Sequence, residues 1–153
     1  MEKPSIKRIM FVCHGNICRS PLAEFLFRDM LKCLGKDKDV FVDSSAVSPE
    51  EEGNPVYPPI KRLLADRGID VRGKYAKTLR RDDYGKYDMF IGMDSSNIRG
   101  ILRIFGSDPD SKVIKLLDLT EGGGDVADPY YYGNYDKTLS DIELGCKALL
   151  KKI

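Results

Sequence analysis

Cys13 and Arg19, a cysteine and an arginine separated by five residues, are the residues best suited to covalent chemistry on a phosphate ester. A cysteine thiolate is a nucleophile that forms covalent intermediates, and the planar guanidinium of arginine can pair with two phosphoryl oxygens at once. A β-branched and aromatic run precedes Cys13, and Ser20 and Pro21 follow Arg19. The spacing predicts a short loop that holds the thiolate and the guanidinium against one bound anion.

The segment between these two residues has the composition of an anion-binding loop. Gly15 and Asn16 are the residue types that most readily adopt a positive φ, which a tight loop requires. Successive backbone N–H groups and the N-terminus of a following helix attract a dianionic phosphate and favour the thiolate form of a cysteine. The predicted phosphate-binding residues are His14, Gly15, Asn16, Ile17, Cys18 and Arg19. We expect the hydroxyl of Ser20 to donate a hydrogen bond to the thiolate of Cys13. The alternative for Cys13 is that it is only a small buried apolar residue, as cysteines at strand ends often are.

Asp128 is the predicted general acid and base. Hydrolysis of a phosphate ester needs an acid to protonate the leaving oxygen and later a base to activate water. Asp128 follows a run of three glycines at 122–124, which gives the segment flexibility, and precedes Pro129, which gives it a rigid turn. We therefore expect its carboxylate to be mobile enough to serve as acid and then as base. We expect Tyr130 and Tyr131, with the next tyrosine, to form an aromatic wall beside the substrate. A tyrosine-rich surface turn packed on the last helix is the alternative for this segment.

Strand and helix patterns alternate along the chain and must position these residues. The predicted strands are Ile6 to Val12, Val40 to Asp43, Tyr87 to Met93 and Val113 to Leu116. The predicted helices begin at Pro21 with Ser20 as N-cap and end at Gly35, run from Ile60 to Arg67, cover Ile98 to Phe105, and close the chain from Leu139 to Ile153. This alternation predicts one α/β domain over residues 1–153, with a parallel sheet and helices on both faces, in three layers. The phosphate-binding loop lies between the first strand and the first helix.

The composition excludes several other functions. The 153 residues include 25 Lys and Arg against 24 Asp and Glu, and this net charge of +1 gives no field that would attract nucleic acid or membrane phosphates. The apolar run at 9–12 is too short for a signal peptide or a membrane span, so we expect a cytoplasmic protein. The four cysteines show no paired framework for disulfides or a zinc site. Cys33 and Cys146 fall on apolar helix faces and are expected in the core.

The chain resembles the low-molecular-weight protein tyrosine phosphatase family in five segments that span nearly its whole length. These are FVCHGNICRSPLAE at 11–24, VDSSA at 42–46, GNP at 53–55, MDSSN at 93–97 and DPYYYGN at 128–134. The resemblance implies a four-stranded parallel sheet and hydrolysis of phosphotyrosine in proteins, and of small aryl phosphates, through a phosphocysteine intermediate. It also implies that no metal or other cofactor takes part.

The resemblance implies a role for individual residues. Cys13 matches the family nucleophile, Arg19 the phosphate-binding arginine and Asp128 the general acid. The residues that match loop-supporting positions are Asn16, Ser20, Ser44 and Asp94. Asp94 is equally suited to be the N-cap of the helix that follows it. Cys18 matches a second loop cysteine that can form a reversible disulfide with the nucleophile.

Two departures from the family pattern concern the rim and the support of the loop. Pro49 and the acidic run Glu50–Glu52 stand where an aromatic residue is common, and we expect this acidic rim to disfavour acidic phosphopeptides. Gly73 and Lys74 stand where many members have a supporting histidine, which leaves that support open. The only histidine, His14, is expected at the rim without a catalytic role.

Other functions that use a phosphate-binding loop fit the sequence less well. A thioredoxin-coupled arsenate reductase needs further mid-chain cysteines, and none lies between Cys33 and Cys146. A non-catalytic phosphotyrosine-binding module would not need Cys13 and Asp128, and a sugar-transport phosphocarrier has no use for a general acid. A nucleotide-binding loop would end in Gly-Lys-Ser or Gly-Lys-Thr, which this loop lacks.

Overall fold

Four parallel strands form the centre of the molecule. The structure is a computed structural model that describes residues 6–129 and 135–153. The strands are β1 (Arg8–Cys13), β2 (Phe41–Ala46), β3 (Met89–Gly92) and β4 (Val113–Lys115), in the spatial order β2-β1-β3-β4. All three strand pairs are parallel. The strand order reverses at β1, and ligands of open parallel sheets bind at such a reversal, beyond the carboxyl ends of the strands.

Four α-helices with described bounds cover the two faces of this sheet. They are α1 (Arg19–Cys33), α2 (Pro58–Ala65), α3 (Ser95–Phe105) and α4 (Tyr135–Leu150), with short 3₁₀ helices at Arg81–Lys86 and Leu116–Leu119. Within the described residues no helix is both long and apolar enough to cross a membrane.

Strand β1 is buried on both faces, and its alternating side chains enter two separate apolar clusters. Ile9, Phe11 and Cys13 belong to a cluster with residues of α1, α2 and α4. Met10 and Val12 belong to a second cluster, which includes residues of β3 and α3. Because side chains of a strand alternate between its faces, these contacts define three layers, as the sequence predicts.

The first helix begins earlier than predicted. α1 starts at Arg19 rather than Pro21, and the residue before it, Cys18, makes no side-chain capping bond. The prediction of Ser20 as N-cap is therefore wrong. Ser20 is the second residue of the helix, and its hydroxyl contacts Cys13 Sγ instead of capping the helix. The predicted end is confirmed, since the helix stops at Cys33 and Gly35 follows with a φ of 70°.

The second strand is longer at its carboxyl end than predicted. β2 continues through Ser44 and Ser45 to Ala46 instead of ending at Asp43. Buried serines end an apolar pattern without ending a strand when their hydroxyls find partners inside the protein. The other boundaries move by at most four residues, and the largest shift is at the last helix, which is described from Tyr135 rather than Leu139. α2 starts at Pro58, where proline suits the first turn, and β3 is confined to Met89–Gly92.

The two cysteines outside the loop differ in burial. Cys146 is fully buried, as predicted, and the surrounding apolar residues raise the pKa of its thiol. The prediction that Cys33 lies in the core is wrong, because its side chain is exposed. Cys33 has the core-facing helical spacing, but the last turn of α1 extends past the packed layer, and residues 32–35 are all exposed.

Candidate active site

The segment from Cys13 to Arg19 connects the carboxyl end of β1 with the N-terminus of α1, at the point where the strand order reverses. Asn16 has a φ of 60°, the left-handed conformation predicted for this position, whereas Gly15, for which the same was predicted, does not have a positive φ. The thiol of Cys13 therefore lies at the first turn of α1, where unpaired backbone N–H groups and the helix dipole create positive potential.

Two polar groups contact the sulfur of Cys13. The backbone N–H of Asn16 lies 3.3 Å from Sγ, and the hydroxyl oxygen of Ser20 lies 3.0 Å from it. Ser20 Oγ accepts a hydrogen bond from Asn16 Nδ2 at 2.7 Å, and its own proton has two acceptors in reach, Sγ at 3.0 Å and the carbonyl oxygen of Ser45 at 3.4 Å. An anionic sulfur has no proton to give, so toward a Cys13 thiolate the hydroxyl is the donor. Hydrogen bonds to the charged form stabilise an anionic sulfur.

The side-chain amide of Asn16 fixes the direction of these bonds. The backbone N–H of Lys77 donates to Asn16 Oδ1 at 3.1 Å, so the other amide atom must be the donor. That nitrogen donates to Ser20 Oγ and, at 2.9 Å, to Ser44 Oγ. The structure thus brings Asn16, Ser20 and Ser44 together in one buried chain of hydrogen bonds beneath the loop.

This chain continues into a buried cluster of charges that the sequence did not predict. Ser44 Oγ donates to Glu24 Oε1 at 2.5 Å, and the side chain of Glu24 is only 1% exposed. Lys74 Nζ lies 3.0 Å from the same carboxylate and 3.1 Å from Asp43 Oδ1, and Arg28 pairs with Glu24 from the other side. The support left open at Gly73 and Lys74 is therefore occupied by Lys74. An acidic residue on the apolar face of the first helix was the available signal for Glu24.

The charges around Asp43 compensate for its burial. Burial alone would raise the pKa of Asp43, but Lys74 and Lys77 outweigh that effect and hold its pKa below the usual value. Lys77 pairs with one oxygen of Asp43, and Lys74 with the other. A buried carboxylate with two cationic partners remains ionised at neutral pH.

Arg19 is buried and is held from three directions. Its Nη1 donates to Asp94 Oδ2 at 2.9 Å and to the carbonyl oxygen of Val126 at 3.1 Å, and Nη2 lies 3.5 Å from Asp128 Oδ2. Burial acts against the charged form, but negative charge on the sulfur of Cys13 and on the carboxylate of Asp94 outweighs it and raises the pKa of Arg19. A charged guanidinium is thus fixed close to the thiol.

Asp94 both pairs with the arginine of the loop and caps the helix that follows it. One carboxylate oxygen pairs with Arg19, and the other accepts the N–H of Asn97 at 2.8 Å and caps α3. Asp128 reaches the same arginine from the loop that follows the second 3₁₀ helix, with 26% of its side chain exposed. The predicted wall residues Tyr130 and Tyr131 lie outside the described residues.

Two carboxylates lie beside the loop on the side of β2. Glu50 Oε2 lies 3.3 Å from His14 Nε2, and both side chains are more than half exposed. Glu51 lies over the loop, because a Cβ added at Gly15 would be 3.2 Å from its Cγ. A substrate that approaches the loop from this side meets carboxylates.

Cys18 lies at the start of α1 and is half-buried. Burial, together with the neighbouring Cys13 and Asp128, raises the pKa of the Cys18 thiol to about 12. Cys18 is therefore a neutral thiol at physiological pH. Within residues 6–129 and 135–153, no group of three or more histidine, cysteine, aspartate or glutamate side chains is arranged to hold a metal ion.

Known proteins resemble the chain over almost its full length. A family model described as "Low molecular weight phosphotyrosine protein phosphatase" matches residues 8–153. The chain is 36% identical to the low molecular weight protein-tyrosine-phosphatase YfkJ of Bacillus subtilis, over 95% of this chain and 94% of the relative. It is 32% identical to the low molecular weight phosphotyrosine protein phosphatase of Homo sapiens, over 99% of both chains. The crystal structure of YfkJ superposes with a TM-score of 0.91 at 35% identity, covering 98% of this chain and 96% of that chain.

Proposed function

The chain belongs to the low molecular weight phosphotyrosine protein phosphatase family, and we propose which of its residues perform each step of the reaction. It is a protein-tyrosine-phosphatase, and it hydrolyses phosphotyrosine in proteins through a phosphocysteine intermediate. The assignments below concern the atoms of this chain that carry that chemistry.

Cys13 attacks the phosphorus in the first step. A sulfur–phosphorus bond forms while the bond from phosphorus to the phenolic oxygen breaks. The carboxylic acid of Asp128 donates its proton to that oxygen, so that tyrosine leaves as a neutral phenol. The position of Asp128 beside Arg19, with its carboxyl partly open to solvent, supports this role.

Arg19 and the backbone N–H groups of residues 14–19 bind the three non-bridging oxygens. Phosphoryl transfer spreads negative charge over these oxygens, and a fixed guanidinium stabilises that charge without having to reorganise. Asp94 supports this role because its bond to Nη1 fixes the guanidinium before substrate arrives.

Water completes the reaction in the second step. The carboxylate of Asp128 accepts a proton from water as the water oxygen attacks phosphorus, and the sulfur–phosphorus bond breaks. Inorganic phosphate leaves, and both Cys13 and Asp128 return to their starting protonation states. The hydroxyl of Ser20 stabilises the departing thiolate, a role that its 3.0 Å approach to Sγ supports.

The observation that carries these assignments is the pair of polar contacts at Cys13 Sγ, from the N–H of Asn16 and from the hydroxyl of Ser20, both of which can donate to a thiolate. With a small aryl phosphate as substrate, Cys13→Ser should leave no turnover above background. The matched control is Cys33→Ser, at the exposed far end of α1, which should keep full activity. Mass spectrometry of quenched enzyme should find the phosphoryl group on the peptide containing Cys13. Turnover by Cys13→Ser above background would reject this nucleophile.

Cys18 protects the nucleophile from irreversible oxidation in this proposal. A peroxide converts the Cys13 thiolate to a sulfenic acid, and the Cys18 thiol displaces its hydroxyl as water to form a disulfide, which a dithiol reduces again. Because Cys18 is a neutral thiol, it is the resolving group and not the first site of oxidation. Peroxide-treated wild-type enzyme should regain activity with dithiol, and Cys18→Ser should not. Failure of the wild type to recover would disprove this protection.

We further propose that the reaction needs no metal and takes place in the cytoplasm. Arg19 and the loop N–H groups supply the positive charge that a metal would otherwise bring to the phosphoryl oxygens. Turnover should therefore be unchanged after exhaustive treatment with a chelator. A reducing compartment keeps Cys13 and Cys18 as thiols, and fractionation of cells should place the activity in the cytosol.

A further inference from the structure

Both polar groups of Ala127, the residue before Asp128, are bound by side chains of α4. The backbone N–H of Ala127 donates to Asp141 Oδ2 at 3.1 Å, and Thr138 Oγ1 donates to the carbonyl oxygen of Ala127 at 2.7 Å. Thr138 is fully buried and Asp141 nearly so. The two residues are three positions apart, so they lie on the same face of the helix.

The preceding residue, Val126, is fixed from the opposite side. Its N–H donates to the carbonyl oxygen of Met93 at the end of β3, and its own carbonyl oxygen accepts Nη1 of Arg19. Val126 is also buried in the main apolar cluster. The backbone that leads into Asp128 is therefore held between the phosphate-binding arginine and α4.

We propose that Thr138 and Asp141 are positioning residues that set the distance of the Asp128 carboxyl from the leaving-group oxygen. The inference rests on the proposed role of Asp128 as general acid. Neither side chain touches substrate in this proposal; each acts through a backbone group of Ala127. These two bonds fix the backbone from which Asp128 extends.

A role in positioning an acid has a specific kinetic signature. An unactivated leaving group such as phenol depends strongly on protonation, whereas 4-nitrophenol leaves readily as an anion. The constant kcat/KM reports the steps up to formation of the phosphocysteine, in which the acid acts. Loss of the support should therefore lower kcat/KM for phenyl phosphate and leave that for 4-nitrophenyl phosphate almost unchanged.

The closest matched pair of variants is Thr138→Val and Thr138→Ser. Valine keeps the shape and removes the hydroxyl, and we expect kcat/KM for phenyl phosphate to fall about tenfold, less than the roughly hundredfold that a misplacement of about 1 Å can cost. Serine keeps the hydroxyl and should keep both constants. Asp141→Ala should repeat the selective loss, while Ser140→Ala, on the exposed side of α4, should not. An equal loss for both substrates, or no loss, would overturn the inference.

Asp128→Asn in the same assay separates this inference from the proposed function. General acid catalysis contributes about 10²–10⁴-fold, so Asp128→Asn should lower kcat/KM for phenyl phosphate far more than for 4-nitrophenyl phosphate. If Asp128→Asn discriminates between the substrates and Thr138→Val does not, only the positioning role is rejected. If Asp128→Asn does not discriminate, the acid role itself is rejected, and the positioning role with it.

Discussion

Lys74 places one positive charge between two carboxylates that are almost out of contact with water. Its ammonium donates to Asp43 Oδ1 and to the carbonyl oxygen of Ser44, and it pairs with Glu24 Oε1, so each of its three N–H groups has an acceptor. Only 10% of the lysine side chain is exposed. Lys74 and Arg28, together with the hydroxyl of Ser44, therefore compensate for the burial of Glu24 beneath the loop.

Replacement of Lys74 should be costly at the scale of a single residue. Lys74→Met keeps the apolar stem but leaves Glu24 and Asp43 with one cation fewer, and breaking a buried ion pair costs about 3–5 kcal/mol. We expect the lower end of this range, about 3 kcal/mol, since Arg28 and Lys77 remain. Urea unfolding at pH 7 measures the loss. Lys151→Met, at the exposed C-terminal end, is the control, and equal unfolding free energies for the two variants would contradict the argument.

Asp43 should make the stability of the protein sensitive to acid. Burial would raise the pKa of Asp43 in the folded protein, but Lys74 and Lys77 outweigh this effect and hold the pKa below its usual value of 3.8. A lowered pKa contributes stability that is present above the unfolded pKa and is lost as the pH falls through the folded pKa. The advantage of wild type over Asp43→Asn in unfolding free energy should therefore be constant near pH 7 and shrink below about pH 4. A gap that widens in acid would reverse this sign.

At the scale of elements, the apolar pattern was sufficient to predict the sheet, its parallel direction and the place of the loop. β1, β3 and α1 each contain apolar residues at the spacing of a strand or a helix, so the local sequence is enough to predict them. The end of β2 was missed because its serines are satisfied by Glu24 and Asn16, which are distant in sequence. A local sequence pattern does not indicate a partner that is distant in sequence. For the same reason it does not predict that Thr138 and Asp141 bind the backbone of Ala127.

The approach of α4 to the second 3₁₀ helix depends on one glycine. A Cβ added at Gly145 would overlap the side chain of Leu116, which is fully buried. In an exposed helix, Gly→Ala stabilises by about 1 kcal/mol, whereas overpacking a core costs about 1–3 kcal/mol. We therefore expect Gly145→Ala to lower the unfolding free energy by about 1–2 kcal/mol. Thermal unfolding should show this loss, while Gly85→Ala, where a Cβ meets no atom within 4 Å, should be nearly neutral.

At the scale of the whole molecule, the site exists only because distant segments converge at one end of the sheet. Cys13 ends β1, Ser44 lies in β2, and Asp94 follows β3. Asp128 follows Ala127, whose backbone is bound by α4. The reversal of strand order at β1 opens the crevice in which they meet. The fold thus brings these residues together, and the charged side chains beneath the loop, Glu24, Asp43 and Lys74, support the loop.

We expect the charges beside the loop, and not the net charge, to determine which phosphotyrosine peptides the enzyme prefers. With a net charge of +1 the molecule has no strong overall field, whereas Glu50 and Glu51 lie beside the loop. Exposed charge pairs are worth about 0.2–1 kcal/mol, so kcat/KM should favour a phosphotyrosine peptide with basic flanking residues over its acidic counterpart by a few-fold for each carboxylate. Glu50→Gln should reduce that ratio, and Asp29→Asn, exposed further along α1, should not. Because such pairs are screened by salt, the ratio should also fall toward one at about 1 M salt; a ratio of one at low salt would show that the acidic rim does not select substrates.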